Sequence, residues 1–87
     1  MMKTASCGTM ESNDCLITVK SQNHLEIVIE SIVFDQFGDQ IKAVVQQTLA
    51  DLNIKGLFVH VKDKGALDYA IRARLITAIQ RLEDQHA

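Results

Sequence analysis

Residues 25–30 read Leu25-Glu26-Ile27-Val28-Ile29-Glu30, and they decide the fold. Leu25, Ile27 and Ile29 fall to one side, Glu26 and Glu30 to the other. That period of two belongs to a half-buried strand. Upstream, Cys15-Leu16-Ile17-Thr18-Val19-Lys20 is short and β-branched, with Cys15, Ile17 and Val19 on one side. Ser21-Gln22-Asn23-His24 is a polar turn between the two runs, so residues 15–30 are expected to form an antiparallel hairpin. Ser31-Ile32-Val33-Phe34 either extends the second strand or bends away toward a helix.

Downstream the period changes. Phe37, Ile41, Val44, Val45, Leu49 and Leu52, with Thr48 among them, follow one helical face. Asp35 is placed to cap that helix, and Asn53 and Gly56 tolerate the left-handed backbone that ends one. Leu57-Phe58-Val59-His60-Val61-Lys62 is a third strand, with Leu57, Val59 and Val61 on one face. Asp63-Lys64-Gly65 turns the chain into a final helix. Leu67, Ala70, Ile71, Leu75, Ala78, Ile79 and Leu82 form its buried stripe, and Arg72, Arg74, Gln80 and Arg81 lie largely outside. It frays near Glu83, leaving residues 84–87 loose.

The order is β-β-α-β-α. A strand-helix-strand link of this length suits parallel second and third strands. The expected fold class is therefore α+β: a two-layer sandwich, a three-stranded mixed sheet with two helices on one face. The other face would carry Glu26, Val28, Glu30, Phe58, His60 and Lys62, too polar for a second core. Val28 and Phe58 within that charged rim are the expected docking face, with Arg72 and Arg74 as the competing site. Residues 1–13 mix small and polar types without periodicity and read as a flexible N-terminal arm, followed by a single domain over 14–87.

Eighty-seven residues with 47% apolar content suit one small globular domain. No apolar run reaches membrane-spanning length, and the first residues lack the apolar core of a secretory signal, so a cytoplasmic location is expected. Residues 1–53 hold three lysines against seven acids, and residues 54–87 six basic residues against four acids. An acidic chain with four aromatics does not point to nucleic acid. Cys7 and Cys15 fit neither a redox pair nor a zinc knuckle, and no spacing unites His24, His60 and His86, so no metal site is expected. No catalytic residue is expected either, since no nucleophile has a base beside it.

Just ahead of the first strand lies Gly8-Thr9-Met10-Glu11-Ser12-Asn13-Asp14-Cys15. It resembles the prosthetic-group segment of the citrate lyase acyl carrier proteins, the gamma subunits, where the pattern is close to Gly-Thr-Leu-Glu-Ser-Gly/Ser-Asp. Met10 stands for the leucine and Asn13 for the small residue. Gly and Asn both tolerate positive φ, so the turn survives that change. Phe37-Gly38-Asp39, Asp63-Lys64-Gly65-Ala66-Leu67-Asp68 and Arg72-Ala73-Arg74-Leu75 extend the resemblance over nearly the whole chain.

The resemblance implies a non-catalytic subunit of a lyase complex that cleaves citrate to oxaloacetate and acetate. Ser12 would bear a covalent phosphoribosyl-dephospho-coenzyme A, attached by a prosthetic-group transferase. The arm would present acetyl and citryl thioesters to the citrate lyase alpha and beta subunits. An anchoring serine needs exposure but no base, which agrees with the residues around Ser12. The alternatives are the carrier of malonate decarboxylase, which uses the same type of arm, and an unmodified protein-interaction module. The Asp-Lys-Gly-Ala-Leu-Asp stretch favours the citrate lyase carrier.

Overall fold

Alternating side chains put three strands where expected and add a fourth ahead of them. The computed structural model describes residues 3–85. Met1 and Met2 at the start of the expected arm, and His86 and Ala87 at the end of the expected loose tail, lie outside the described residues. In chain order the elements are β1 (Thr4–Gly8), β2 (Cys15–Lys20), β3 (Leu25–Ser31), α1 (Phe34–Asp51), β4 (Leu57–Asp63) and α2 (Asp68–Asp84). The sheet is mixed and four-stranded, in the order β1-β2-β4-β3.

Two expectations about the sheet are corrected. The sheet has four strands instead of three, and the extra one falls within the stretch read as a flexible arm. Thr4–Gly8 pairs antiparallel with β2, Ala5 facing Val19 and Cys7 facing Ile17. Ala5 and Cys7 are buried while Thr4 and Ser6 are exposed. The alternation is present, but its inward residues are too small to register as an apolar run. The free edge of β1 is covered from α2: Arg81 Nη1 donates to the Ser6 carbonyl at 2.9 Å and Gln85 Nε2 to the Thr4 carbonyl at 2.8 Å. Those bonds satisfy backbone acceptors that a bare edge would leave to solvent.

The second correction concerns the hairpin. β2 and β3 do run in opposite directions, but β4 lies between them, antiparallel to β2 and parallel to β3. The entry of β4 explains this. Leu57 N donates to the His24 carbonyl at 3.0 Å. A Cβ on Gly56 would come within 2.8 Å of the Gln22 carbonyl oxygen, so only glycine lets the incoming strand pass this close to the 21–24 link. The expected parallel β3-α1-β4 unit is present. As an edge strand β3 buries least: Leu25 is exposed and Ile27 and Ile29 are half-buried.

The core forms between the helices and one sheet face. Ile17, Val19, Val59 and Val61 meet Val45 and Leu49 of α1 and Ile71 and Leu75 of α2, all buried to within 1%. Burial of side chains of this size contributes about 1.5–3 kcal/mol each. Asn53, at φ 56°, ends α1 as anticipated: Ile54 N donates to the Leu49 carbonyl and Asn53 N to the Ala50 carbonyl, the two bonds of a Schellman stop. The other end differs. Val33 is the N-cap and Asp35 lies in the first turn without a capping bond, where its charge still favours the helix dipole. Phe37, Leu52 and Leu67, assigned to the buried stripes, lie at helix ends and are exposed.

Candidate functional site

Ser12 is exposed in the connection between β1 and β2. The loop is not loose. Gly8, at φ 116°, closes it on one side, and Thr9 N donates to the Cys15 carbonyl at 3.1 Å. Asn13 takes φ 65°, a left-handed conformation that asparagine tolerates. Immediately after Ser12 the backbone is clamped to the β4–α2 turn. Asn13 N donates to the Lys64 carbonyl at 2.8 Å, and Lys64 N donates back to the Asp14 carbonyl at 2.9 Å. This clamp joins the stretch over residues 8–15 to the stretch over residues 63–68.

Asp14 holds the loop from within. Its carboxylate accepts from the Thr9 hydroxyl at 2.6 Å, from Cys15 N at 2.7 Å, and from Arg74 Nε and Nη2 at 3.2 and 2.8 Å. Thr9 Oγ1 in turn accepts from Glu11 N at 3.2 Å. Arg74, read from sequence as an outward-facing charge, is a brace from α2 to the serine loop. Its signal was only that Arg72-Ala73-Arg74-Leu75 belongs to the same resemblance as Asp14. Arg72 is also engaged, donating to Asp51 Oδ2 at 2.9 Å and Thr48 Oγ1 at 3.2 Å.

The Thr9 hydroxyl first, then Arg74 and the Cys15 N–H, hold the Asp14 carboxyl at about 2, against 3.8 for an ordinary aspartate. A carboxyl depressed by folding favours the folded state above its unfolded value and loses that contribution as pH falls through the folded one. Asp14→Asn is therefore expected to flatten the decline of stability between about pH 4 and pH 2. Denaturant midpoints across that window check it, and an unchanged slope would refute the assignment.

Both cysteines are free and buried. Cys15 is wholly buried, and burial first, then the Asp14 and Asp63 carboxylates, push its thiol up to about 12. It is therefore no thiolate at neutral pH. Cys7 is buried under Arg74. Among the described residues no group of His, Cys, Asp and Glu is arranged to hold a metal. No helix among them is long and apolar enough to cross a membrane.

The sheet face opposite the helices carries Val28, exposed, and Phe58, half-buried with Lys20 Nζ 5.3 Å above its ring. His60 contacts Glu30 across the strand pair. The larger accumulation of exposed apolar surface lies at the serine end. Cys15 and Ser31 both stand opposite Asp63 in register, so the Ser12 loop, the start of α1 and the start of α2 share one end of the sheet. There Met10, Ile32, Phe34, Phe37, Leu67 and Tyr69 are all exposed.

Comparison with known proteins assigns the lineage. A family model described as "ACP: Malonate decarboxylase delta subunit (MdcD)" matches residues 2–82. The citrate lyase acyl carrier protein of Halothermothrix orenii is 48% identical over 80 residues, covering 91% of this chain and 85% of its own. That of Lactiplantibacillus plantarum is 51% identical over 79 residues, covering 90% and 82%. That of Treponema denticola is 41% identical over 83 residues, covering 95% of each. Among solved structures, a chain of the Pseudomonas malonate decarboxylase hetero-tetramer in complex with malonate superimposes with a TM-score of 0.78. It covers 92% of this chain and 84% of that one at 20% identity, a likeness of fold. The chain belongs to the acyl carrier protein family that contains these citrate lyase carriers.

Proposed function

We propose that this chain is the acyl carrier subunit of a citrate lyase and that Ser12 is the attachment point for its phosphoribosyl-dephospho-coenzyme A. The observation that carries this reading is the placement of Ser12: exposed, and one residue before the Asn13–Lys64 clamp. The residues present fit the group. An exposed hydroxyl is open to a transferase, and the nearby carboxylate of Asp14 is neutralised by Arg74. The bound group supplies a thiol at the end of a long arm.

The chain's own residues do three things. Gly8, Asn13 and Asp14 shape the turn that presents the serine. Lys64 and Arg74 tie that turn to the domain, so the arm is rooted at a fixed point. The exposed apolar side chains around it offer larger subunits a surface beside that root. Tethering then raises the effective concentration of the carried acyl group at successive active sites without release to solution. The partners in this reading are the alpha and beta subunits and the prosthetic-group transferase, all in the cytoplasm. The family model's name and the fold shared with a malonate decarboxylase chain favour one second reading, a carrier for that complex.

The test combines intact mass with reconstitution. Purified chain incubated with the lyase transferase and the arm precursor is expected to gain one arm, mapped to the Ser12 peptide, and Ser12→Ala is expected to gain none. The loaded chain should then restore citrate cleavage to carrier-free alpha and beta subunits. Labelling of Ser12→Ala equal to the parent would remove the site assignment. Loading without restoration, together with restoration of malonate decarboxylation, would move the chain to the second reading.

A further inference from the structure

A groove of about 510 Å³ opens beside the Ser12 loop, between the start of α1 and the β4–α2 turn. Its apolar wall is Val33, Phe37, Ile41, Ala66, Leu67 and Tyr69. Leu67 is 60% exposed and Tyr69 73%, a large apolar area for residues that open a helix. Gly65, also in the wall, backs onto the serine loop: a Cβ placed on it would lie 3.5 Å from Asn13 Oδ1. The groove thus adjoins the residue that follows Ser12.

Its polar lining is restricted. Asp63 is buried and accepts from Ser31 Oγ and Ala66 N. Asp68 accepts from Gln40 Nε2 at 3.0 and 3.1 Å. No lysine, arginine or histidine lines the groove. A site with two carboxylates and no cation disfavours anions and admits uncharged chains that combine apolar carbons with an amide. Its volume lies in the range of pockets that hold small molecules.

We infer that this groove is the resting dock for the uncharged amide-and-thiol end of the arm carried on Ser12, free or bearing an uncharged acyl group, and that it keeps out the arm's phosphates and any acyl group bearing carboxylates. The inference rests on the reading of Ser12 as the attachment point. Docking shields the carried end from water between visits to the larger subunits. A carried acid leaves the dock and is presented outward. The root beside Asn13 and the lining chemistry together select this occupant over a partner's side chains.

The experiment uses the full chain, isotopically labelled and loaded by the transferase, with mass at Ser12 confirmed first. Loading is expected to move the amide resonances of Phe37, Ala66, Leu67 and Tyr69 and leave that of Leu52, at the far end of α1, in place. The terminal thiol should be alkylated about fivefold more slowly than that of free coenzyme A, as for an end docked four-fifths of the time. Leu67→Asp adds a third carboxylate at an exposed position. It should accept the arm normally and bring alkylation back to the free rate. On the unmodified chain, S-acetyl-N-acetylcysteamine should shift the same resonances and its S-succinyl counterpart should not. A loaded chain with shifts confined to residues 9–14 and a free-thiol rate would overturn the dock and leave the Ser12 reading standing. Equal shifts by the acetyl and succinyl probes would overturn the selection against charge. A chain that gains no mass at Ser12 overturns both the dock and the reading beneath it.

Discussion

Gly8→Ala is expected to destabilise the protein by roughly 3 kcal/mol or more, lowering the thermal midpoint by on the order of 10–20 °C. Two costs coincide. Gly8 sits at φ 116°, where side chains are rarely found. A Cβ there would also lie 1.9 Å from the Cys15 carbonyl oxygen and 2.9 Å from its carbon, both backbone atoms of the paired strand. The strand pair must open where it leads into the serine loop, breaking the bond from Thr9 N to that same carbonyl. With Ser12 as the proposed attachment point, its loading should slow as well, because the turn it sits on is displaced. Gly38→Ala is the control: the atoms nearest its Cβ, at 2.8–3.1 Å, belong to the half-exposed ring of Phe34, a side chain that can turn aside, and within α1 alanine is the better helix former. Melting followed by circular dichroism checks the pair. A Gly8→Ala midpoint within a few degrees of the parent would mean the β1–β2 connection relaxes freely.

Much of this architecture is legible because its inward residues are large and regularly spaced. β2, β3, β4 and both helices fall where apolar periods of two and of three to four change over. β1 is not legible in the same way, since Ala5 and Cys7 carry too little apolar surface to stand out from a polar tail. What covers its outer edge lies 75 or more residues away, in Arg81 of α2 and in Gln85 just after it. The position of β4 is hidden for a related reason. The polar link at 21–24 looks like a hairpin turn, and only Gly56, far along the chain, shows that another strand must pass beside it. Ser12 itself is legible only by resemblance, since surface serines carry no periodic signal. Its support was invisible: Arg74 looks like any outward charge on a helix until Asp14 is brought beside it.

Asp63 connects these levels, and its replacement gives the second large effect. The residue is 3% exposed and stands opposite both Cys15 and Ser31 in the sheet. Its carboxylate accepts from Ser31 Oγ at 2.7 Å and from Ala66 N at 2.9 Å, while Ser31 Oγ accepts from Val33 N at 3.1 Å. One buried side chain therefore fixes the end of β3, the entry to α1 and the turn into α2. Asp63→Ala leaves a backbone N–H and a hydroxyl without their partner and is expected to cost about 3 kcal/mol. Asp63→Asn keeps the shape and can still accept from Ala66 N and meet Ser31 Oγ, so about 1 kcal/mol is expected. Urea denaturation of the two variants separates hydrogen bonding from charge. Equal losses would show that the charge matters and the bonds do not. The effect should also reach Ser12. Lys64, the next residue, donates to the Asp14 carbonyl and accepts from Asn13 N. In Asp63→Ala the Asn13 and Lys64 amides should exchange with solvent faster, while those of Val45 and Leu49 in the second half of α1 keep their protection relative to global unfolding. Unchanged exchange at Asn13 would mean that the serine turn is held by Asp14 and Arg74 alone.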